Sequence, residues 1–522
     1  MPSLARLLGS LGLVFVAACS SKGASNAPAT DAGVDSSCDP GAAVPAYVRS
    51  PGAEVSFPSG FLFGTATAGM QIEKGLVHAD WYQWAKLPGK VAGGDNPDDG
   101  PDALAHIPEH VAAMQSAGAT AYRFSIEWSR IYPTLDAFDA DTPDATALAS
   151  YHQLLAALKA AKIRPFVTLH HFATPDYLDD ITQPSQPQTF ERPEMLTMFP
   201  EFARRMAKEF GGEVDDWVTI NEPMILLLGA YVAQGHPPGA PMSFDRMVGA
   251  LKKLVRVHAA VYDALHAADT IDAGSGRPVA VSIAKHNRVF FPRDACEPND
   301  VAAAAKATYL WNEWIYNALV FGDWDDDFDG VYTGPNDKQA DPTLKGRVDW
   351  LGVNYYGDTL VSSELALPYI GGIPTYADLP TSLPKTDMSW DIFPQGFRTV
   401  LKELAKYKLP VYVTENGIGD SQDVNKSRYL AEHLWELAHA ISDDGVDVRG
   451  YFYWSLIDNF EWANGFCPRF GLYAVDRASA SKTLTPYKAA TLFRQIAADG
   501  KLSAATIDAL PAYSSPVICQ GP

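Results

Sequence analysis

Cysteine is scarce: five occur in 522 residues, and no two form a C-x-x-C pair. That removes zinc-ribbon and thioredoxin-type chemistry. Positive charge is also short. Lys and Arg total 41 against 62 Asp and Glu, a net charge of -21 with no basic run. Such a surface repels phosphate backbones and anionic headgroups, so nucleic acid is excluded as a partner and a neutral substrate fits better. No internal repeat of about 20–50 residues is present, which excludes solenoids and propellers. What remains is ordinary for a globular chain, with 47% hydrophobic and 20% charged residues, enough for a large core.

The N-terminus reads as a separate unit. Arg6 precedes LLGSLGLVFVAA (7–18), an apolar stretch too short to span a bilayer but right for an export signal. Cys19 follows, and VAAC (16–19) resembles the lipobox of bacterial lipoproteins. The resemblance implies removal of residues 1–18, lipidation of Cys19 and attachment to the bacterial cell envelope. Ser20 after the cysteine favours the outer membrane. A plain secretory signal with an incidental cysteine is the alternative. Residues 19–50 are small and polar, as in a flexible tether. A domain over 51–510 and a tail over 511–522 complete the division. Cys38 and Cys519 flank the two ends of that domain. Domain termini often lie close together, so a Cys38–Cys519 disulfide is expected, with two free thiols as the alternative.

Eight β-rich runs punctuate the domain: FLFGTATA (61–68), AYRFSIEW (121–128), RPFVTLH (164–170), DWVTINEP (216–223), PVAVSIAKH (278–286), DWLGVNYY (349–356), LPVYVTEN (409–416) and GYFYWSLIDN (450–459). Helical patterns such as YHQLLAALKAAKI (151–163) and FPEFARRMAKEFG (199–211) lie between them. Near-continuous apolar strands separated by helices mean parallel pairing with both faces covered. The closed solution is an α/β fold, a single (β/α)8 barrel with enlarged loops after the strands. In such a barrel the active site forms at the C-terminal strand ends. Polar residues cluster there: Gln71 and Glu73, His170 and His171, Asn221 and Glu222, Asn354 and Tyr356, Glu415, and Trp454 to Trp462. Two carboxylates across a barrel mouth are the equipment of glycoside hydrolysis, and Glu222 and Glu415 end the fourth and seventh runs, on opposite sides of the ring.

TINEP (219–223), VTENG (413–417), FLFGTATAGMQIE (61–73), HHFATP (170–175), GVNYY (352–356) and WSLIDNFEWANGF (454–466) together resemble glycoside hydrolase family 1, the β-glucosidase family. Within it, GDNPDDGPD (94–102), IEWSRIYP (126–133), LKGRVDWLGVNYY (344–356) and VDVRGYFYWSL (446–456) are most similar to archaeal-type β-glycosidases. The resemblance implies a retaining β-glycosidase of the β-glucosidase type, with β-galactosidase or β-fucosidase activity also open, removing terminal non-reducing β-D-glycosyl residues from small β-glycosides or oligosaccharides. It implies Glu222 as acid/base and Glu415 as nucleophile, with Arg123 and Tyr356 supporting the latter. Gln71, His171, Asn221, Asn354, Tyr356, Trp454, Glu461 and Trp462 are implied to bind the sugar. No cofactor is expected. Two departures from the family pattern border the mouth: Phe172-Ala173-Thr174-Pro175 in place of aromatic-Asp-Leu-Pro, and Lys74 in place of a glycine. They bear on aglycone preference.

A catalytically inactive sugar-binding protein on the same barrel is the alternative reading, and the presence of both glutamates speaks against it. A phosphorylated glycone would need a cation that NFEWANGF (459–466) does not supply. Adjacent strand residues face opposite ways, so His170 and His171 do not pair as metal ligands. DDDFDGVYTGPN (325–336) opens like a calcium loop, with Asp325, Asp327 and Asp329 at ligand positions, but places Asn336 where a bidentate glutamate belongs.

Overall fold

The computed structural model describes residues 44–375, 381 and 383–522. Cys19, Cys38 and the expected signal and anchor lie outside the described residues. Eight parallel strands close into a ring: β1 (Leu62–Ala66), β2 (Ala121–Ser125), β3 (Arg164–Thr168), β4 (Asp216–Asn221), β5 (Ala280–Pro292), β6 (Leu351–Ser362), β7 (Val411–Asn416) and β8 (Val448–Trp454). β1 pairs with β2 on one side and β8 on the other, and β5 with β6 completes the circuit. A helix follows each strand, in order Ile107–Ser116, Ala145–Ala161, Met195–Phe210, Phe244–Ala268, Pro298–Thr308, Pro394–Leu404, Lys426–Ser442 and Lys488–Asp499. The barrel expected from the strand pattern is the one observed.

Both faces of each strand are buried because helices pack outside and side chains fill the inside. The interior is a matched set of large and small residues. The Phe166 ring on β3 packs against Phe452, Tyr412 and Trp350 at centroid distances of 4.8, 5.3 and 5.8 Å. Ala66, Ala121 and Ala284 supply the small partners in the same cluster. Gly64 on β1 has a packing role, since a Cβ there would lie 2.5 Å from the Phe452 ring. This plug leaves the strands' C-terminal ends as the open face.

Three features depart from the sequence reading. β5 and β6 run on past the rim and stay paired through Pro292 and Val361, with a bulge between Asn287 and Val289. Their extensions VFFP and TLVS are aromatic and β-branched, so strand propensity persists after the barrel ends. The helix over Ala145–Ala161 starts before the apolar pattern because Asp144 caps it, accepting from the Thr146 and Ala147 amides at 2.8 and 2.9 Å. The expected Cys38–Cys519 bridge is replaced: Cys519 is bonded to Cys467, with their Cα atoms 5.7 Å apart. Through Cys519 the tail is bonded to the loop after β8. The Val517 amide donates to Asp387 Oδ1 and the Cys519 amide to the Asp387 carbonyl at 3.0 and 2.9 Å, which delivers the thiol there. Cys296 is also disulfide-bonded.

Candidate active site

Glu415 is the last residue but one of β7, and the chain must turn away immediately after it. Gly417 permits this, because a Cβ there would collide with the Trp454 carbonyl oxygen at 1.7 Å. The Glu415 carboxylate is buried, and its two oxygens are held separately. Arg123 Nη1 on β2 donates to Oε1 at 2.5 Å and the Tyr356 hydroxyl on β6 donates to Oε2 at 2.9 Å. Burial raises its pKa, while the Arg123 charge and these bonds pull the other way. A salt-bridged, twice-bonded carboxylate remains the anion of the pair.

Glu222 follows β4 with φ 46°, in the left-handed region that non-glycine residues rarely occupy. The backbone is pinned there by its amide, which donates to the Ala284 carbonyl at 2.8 Å. Its carboxyl accepts from Asn354 Nδ2 at 2.7 Å. Burial first, and the Glu415 charge second, push it up to about 8. Asn354 Nδ2 also donates to Asn221 Oδ1 at 3.1 Å, and its Oδ1 accepts from the Thr414 hydroxyl next to Glu415 at 2.6 Å. The two glutamates differ in the way an acid and a nucleophile must.

Around them lies a connected polar cradle. Arg123 Nη2 donates to Asn221 Oδ1 at 2.7 Å, and Asn221 Nδ2 meets His171 Nε2 at 3.0 Å. Gln71 Nε2 donates to Glu461 Oε2 at 3.2 Å. Gln71 Oε1 and His171 Nδ1 are buried with no hydrogen-bond partner among the described residues, which leaves a free acceptor and a free ring nitrogen in the cradle. The Glu461 carboxyl is raised to about 8 by burial and then by Glu415. Rings of Trp454 and Trp462 flank His171, both nearly parallel to it at 5.6 and 6.1 Å.

His171, Asn221, Glu222, Tyr356, Glu415, Trp454, Glu461 and Trp462 line one cavity. Gln71, Asn354 and Arg123 stand directly behind it, bonded to lining residues. Glu73 belongs elsewhere: it is ion-paired with Arg130 at 2.7 Å and accepts from the Tyr151 hydroxyl. His170 packs on Phe190 and Phe199 and bonds Thr174, as a buried structural histidine. Of the two family departures, Phe172 lines the cavity, 5.1 Å from Trp462, whereas Lys74 does not.

Sequence reasoning missed Ile225, His236, His286, Arg288, Met388, Trp390 and Phe470, which also line the cavity. His286 and Arg288 were within reach, since they alternate with Ala284 along one strand. Met388 and Trp390 lie in an irregular segment with no periodicity to read.

The acidic loop departs from the expected ligand set. Asp325 and Asp327 converge with Asp337, not with Asp329. Asp329 accepts from the Val331 amide at 2.7 Å. Asp325 is buried and accepts from the Phe328 and Gly330 amides and the Tyr309 hydroxyl, and Asp337 from the Asp326 and Gly334 amides. The carboxylates serve as the loop's backbone partners.

A sequence profile described as Glycosyl hydrolase family 1 matches residues 53–501. The β-galactosidase of Pyrococcus woesei is 31% identical over 508 residues, covering 85% of this chain and 97% of the relative. Beta-glucosidase A of Thermotoga maritima is 30% identical, covering 82% and 94%. Among solved structures, the β-glycosidase from Pyrococcus horikoshii gives a TM-score of 0.74 at 29% identity, covering 88% of this chain and 99% of that one. The family 1 β-glucosidase from Thermotoga maritima gives 0.75 at 28%, covering 86% and 99%.

Proposed function

The chain belongs to glycosyl hydrolase family 1, and on that premise we infer that it is a retaining β-glycosidase removing terminal non-reducing β-D-glycosyl residues from small β-glycosides or oligosaccharides. The observation that carries this is the asymmetry of the carboxyl pair. Glu415 is anchored as an anion by Arg123 and Tyr356, and Glu222, raised to about 8, keeps its proton at neutral pH. Glu415 attacks the anomeric carbon as Glu222 protonates the departing glycosidic oxygen. Glu222, now a carboxylate, takes a proton from water, which displaces Glu415 and restores the β configuration.

Asn221 carries two amide hydrogens, one given to His171 and one left for the sugar's 2-hydroxyl. Gln71, His171, Glu461 and Trp462 hold the outer hydroxyls, and Trp454 supports the apolar sugar face. The relatives' names, β-galactosidase and β-glucosidase, support gluco- and galacto-configured substrates. The inactive sugar-binding reading is not favoured, because both carboxyls are in place.

The test uses Glu222→Ala with a dinitrophenyl β-glycoside. The first step needs little acid help with that leaving group, so a glycosyl-enzyme should accumulate, and azide should release it as the β-glycosyl azide. Glu415→Ala should lose nearly all turnover. An α-configured first product from the wild type overturns retention. For the N-terminus we propose export and lipid anchoring at Cys19, supported by Arg6, the apolar stretch 7–18 and VAAC.

A further inference from the structure

The cavity has two unlike halves. The cradle side comes from β1, β3 and β8, through Gln71, His171, Glu461 and Trp462. Beyond Glu222 the wall comes from β4 to β6, through Ile225, His286, Arg288, Met388 and Trp390. A sugar seated in the cradle over Glu415 directs its leaving group past the proton on Glu222, onto that second wall.

Ala284 faces the barrel interior, so His286 and Arg288, two and four residues on, face the same way. Arg288 is the one lysine or arginine among the described residues lining the cavity. It is 4% exposed and oriented by its Nη1, which donates to Thr359 Oγ1 on β6 at 2.6 Å, and by its backbone amide, which donates to Asn312 Oδ1 at 3.2 Å. Beside it, His286 is also 4% exposed, and its Nδ1 has no hydrogen-bond partner among the described residues. Burial and the neighbouring cations hold the imidazole neutral, so it has one N–H to give. Asp358, close to Arg288, is raised to about 7 by burial and by Asp391. The rest of the wall is apolar. Trp390 stands against Tyr356 and Phe470 at 5.6 and 6.3 Å, and Ile225 and Met388 add to it.

We propose that His286 and Arg288 form an anion-recognising ledge in the leaving-group half of the mouth, and that the preferred aglycone is an aromatic group bearing a carboxylate. A guanidinium fork matches a carboxylate in charge and shape, and the aromatic walls match a ring. On a chain of net charge -21 an anionic substrate gains nothing from the overall field, so a local cation is what would select it. The proposal rests on the β-glycosidase reading.

The experiment compares kcat/KM for a 4-carboxyphenyl β-glycoside and its methyl ester, in the wild type, Arg288→Met and Arg288→Lys. The glycone is the one best accepted as a nitrophenyl glycoside. Leaving-group differences cancel when the acid-to-ester ratio is compared between proteins. The ratio should fall about tenfold in Arg288→Met, the worth of a charged hydrogen bond, and less in Arg288→Lys. An unchanged ratio overturns the proposal. A second arm needs no variant: 4-hydroxybenzoate should inhibit the wild type competitively at lower concentration than its methyl ester, and the reverse order overturns the proposal. Failure of the wild type to hydrolyse any nitrophenyl β-glycoside would instead sink the β-glycosidase reading.

Discussion

Glu222 combines a backbone in the left-handed region with a carboxyl buried beside a second negative charge, and both conditions trace to its position just past a strand end. The consequence is a pH profile. Glu222 must carry its proton for the first step and is raised to about 8, so kcat/KM should hold below pH 8 and fall as pH rises through it. Glu415 must be ionised and is also raised, so the acid limb should lie above the ordinary glutamate value of 4.5. The two carboxyls titrate in coupled steps that belong to the pair. With a dinitrophenyl glycoside, whose departure needs little acid, the wild type should lose the alkaline limb of kcat/KM; a limb persisting near pH 8 would assign it to another group. Tyr356→Phe removes the bond to Glu415 Oε2. It should move the acid limb upward and lower kcat/KM about tenfold, the usual cost of a hydrogen bond to a charge.

At the scale of elements, the loop after β8 carries Glu461, Trp462 and Phe470 and is tied through Cys467 to Cys519 of the tail. The same tail bonds Asp387, next to Met388, which lines the other wall. One terminal segment therefore braces two sides of the mouth. Cys519→Ser should lower stability by about 2–4 kcal/mol, the usual worth of such a bridge, and raise KM more than it lowers kcat. Equal KM in calorimetrically destabilised variant and wild type would restrict the tail to a stability role. In the acidic loop, Asp325→Ala strands two backbone amides and should cost at least about 2 kcal/mol. Asp329→Ala, which loses a single exposed bond, should cost far less, as read by thermal melts. A chelator should leave the melting temperature in place, because the carboxylates of Asp325 and Asp337 already have protein donors.

For the whole molecule, a net charge of -21 repels anionic membranes, so the proposed envelope attachment would have to come from Cys19. After expression in a bacterium the wild type should partition into the detergent phase and Cys19→Ala into the aqueous phase. Equal partitioning would remove the anchor.

The sequence by itself determined the ring of strands and the places of the two carboxyls proposed to react. Alternating apolar runs and helices admit one closed parallel solution, and Glu222 and Glu415 sit at strand ends in motifs short enough to read along the chain. The cradle was legible for the same reason: Gln71, His171, Asn221, Asn354, Tyr356 and the segment from Trp454 to Trp462 each adjoin a strand end. Tertiary structure alone decided what depends on distant segments meeting. Asp337 rather than Asp329 completes the acidic cluster because a loop folds back on itself. Cys519 reaches Cys467 because the tail climbs to the mouth, and terminal proximity along the chain says nothing about which barrel face a tail will cross. The pKa of Glu222 is likewise a tertiary quantity, since burial and a charge from a strand nearly two hundred residues away create it. Periodicity reports which way a residue points; only the closed fold reports what it points at.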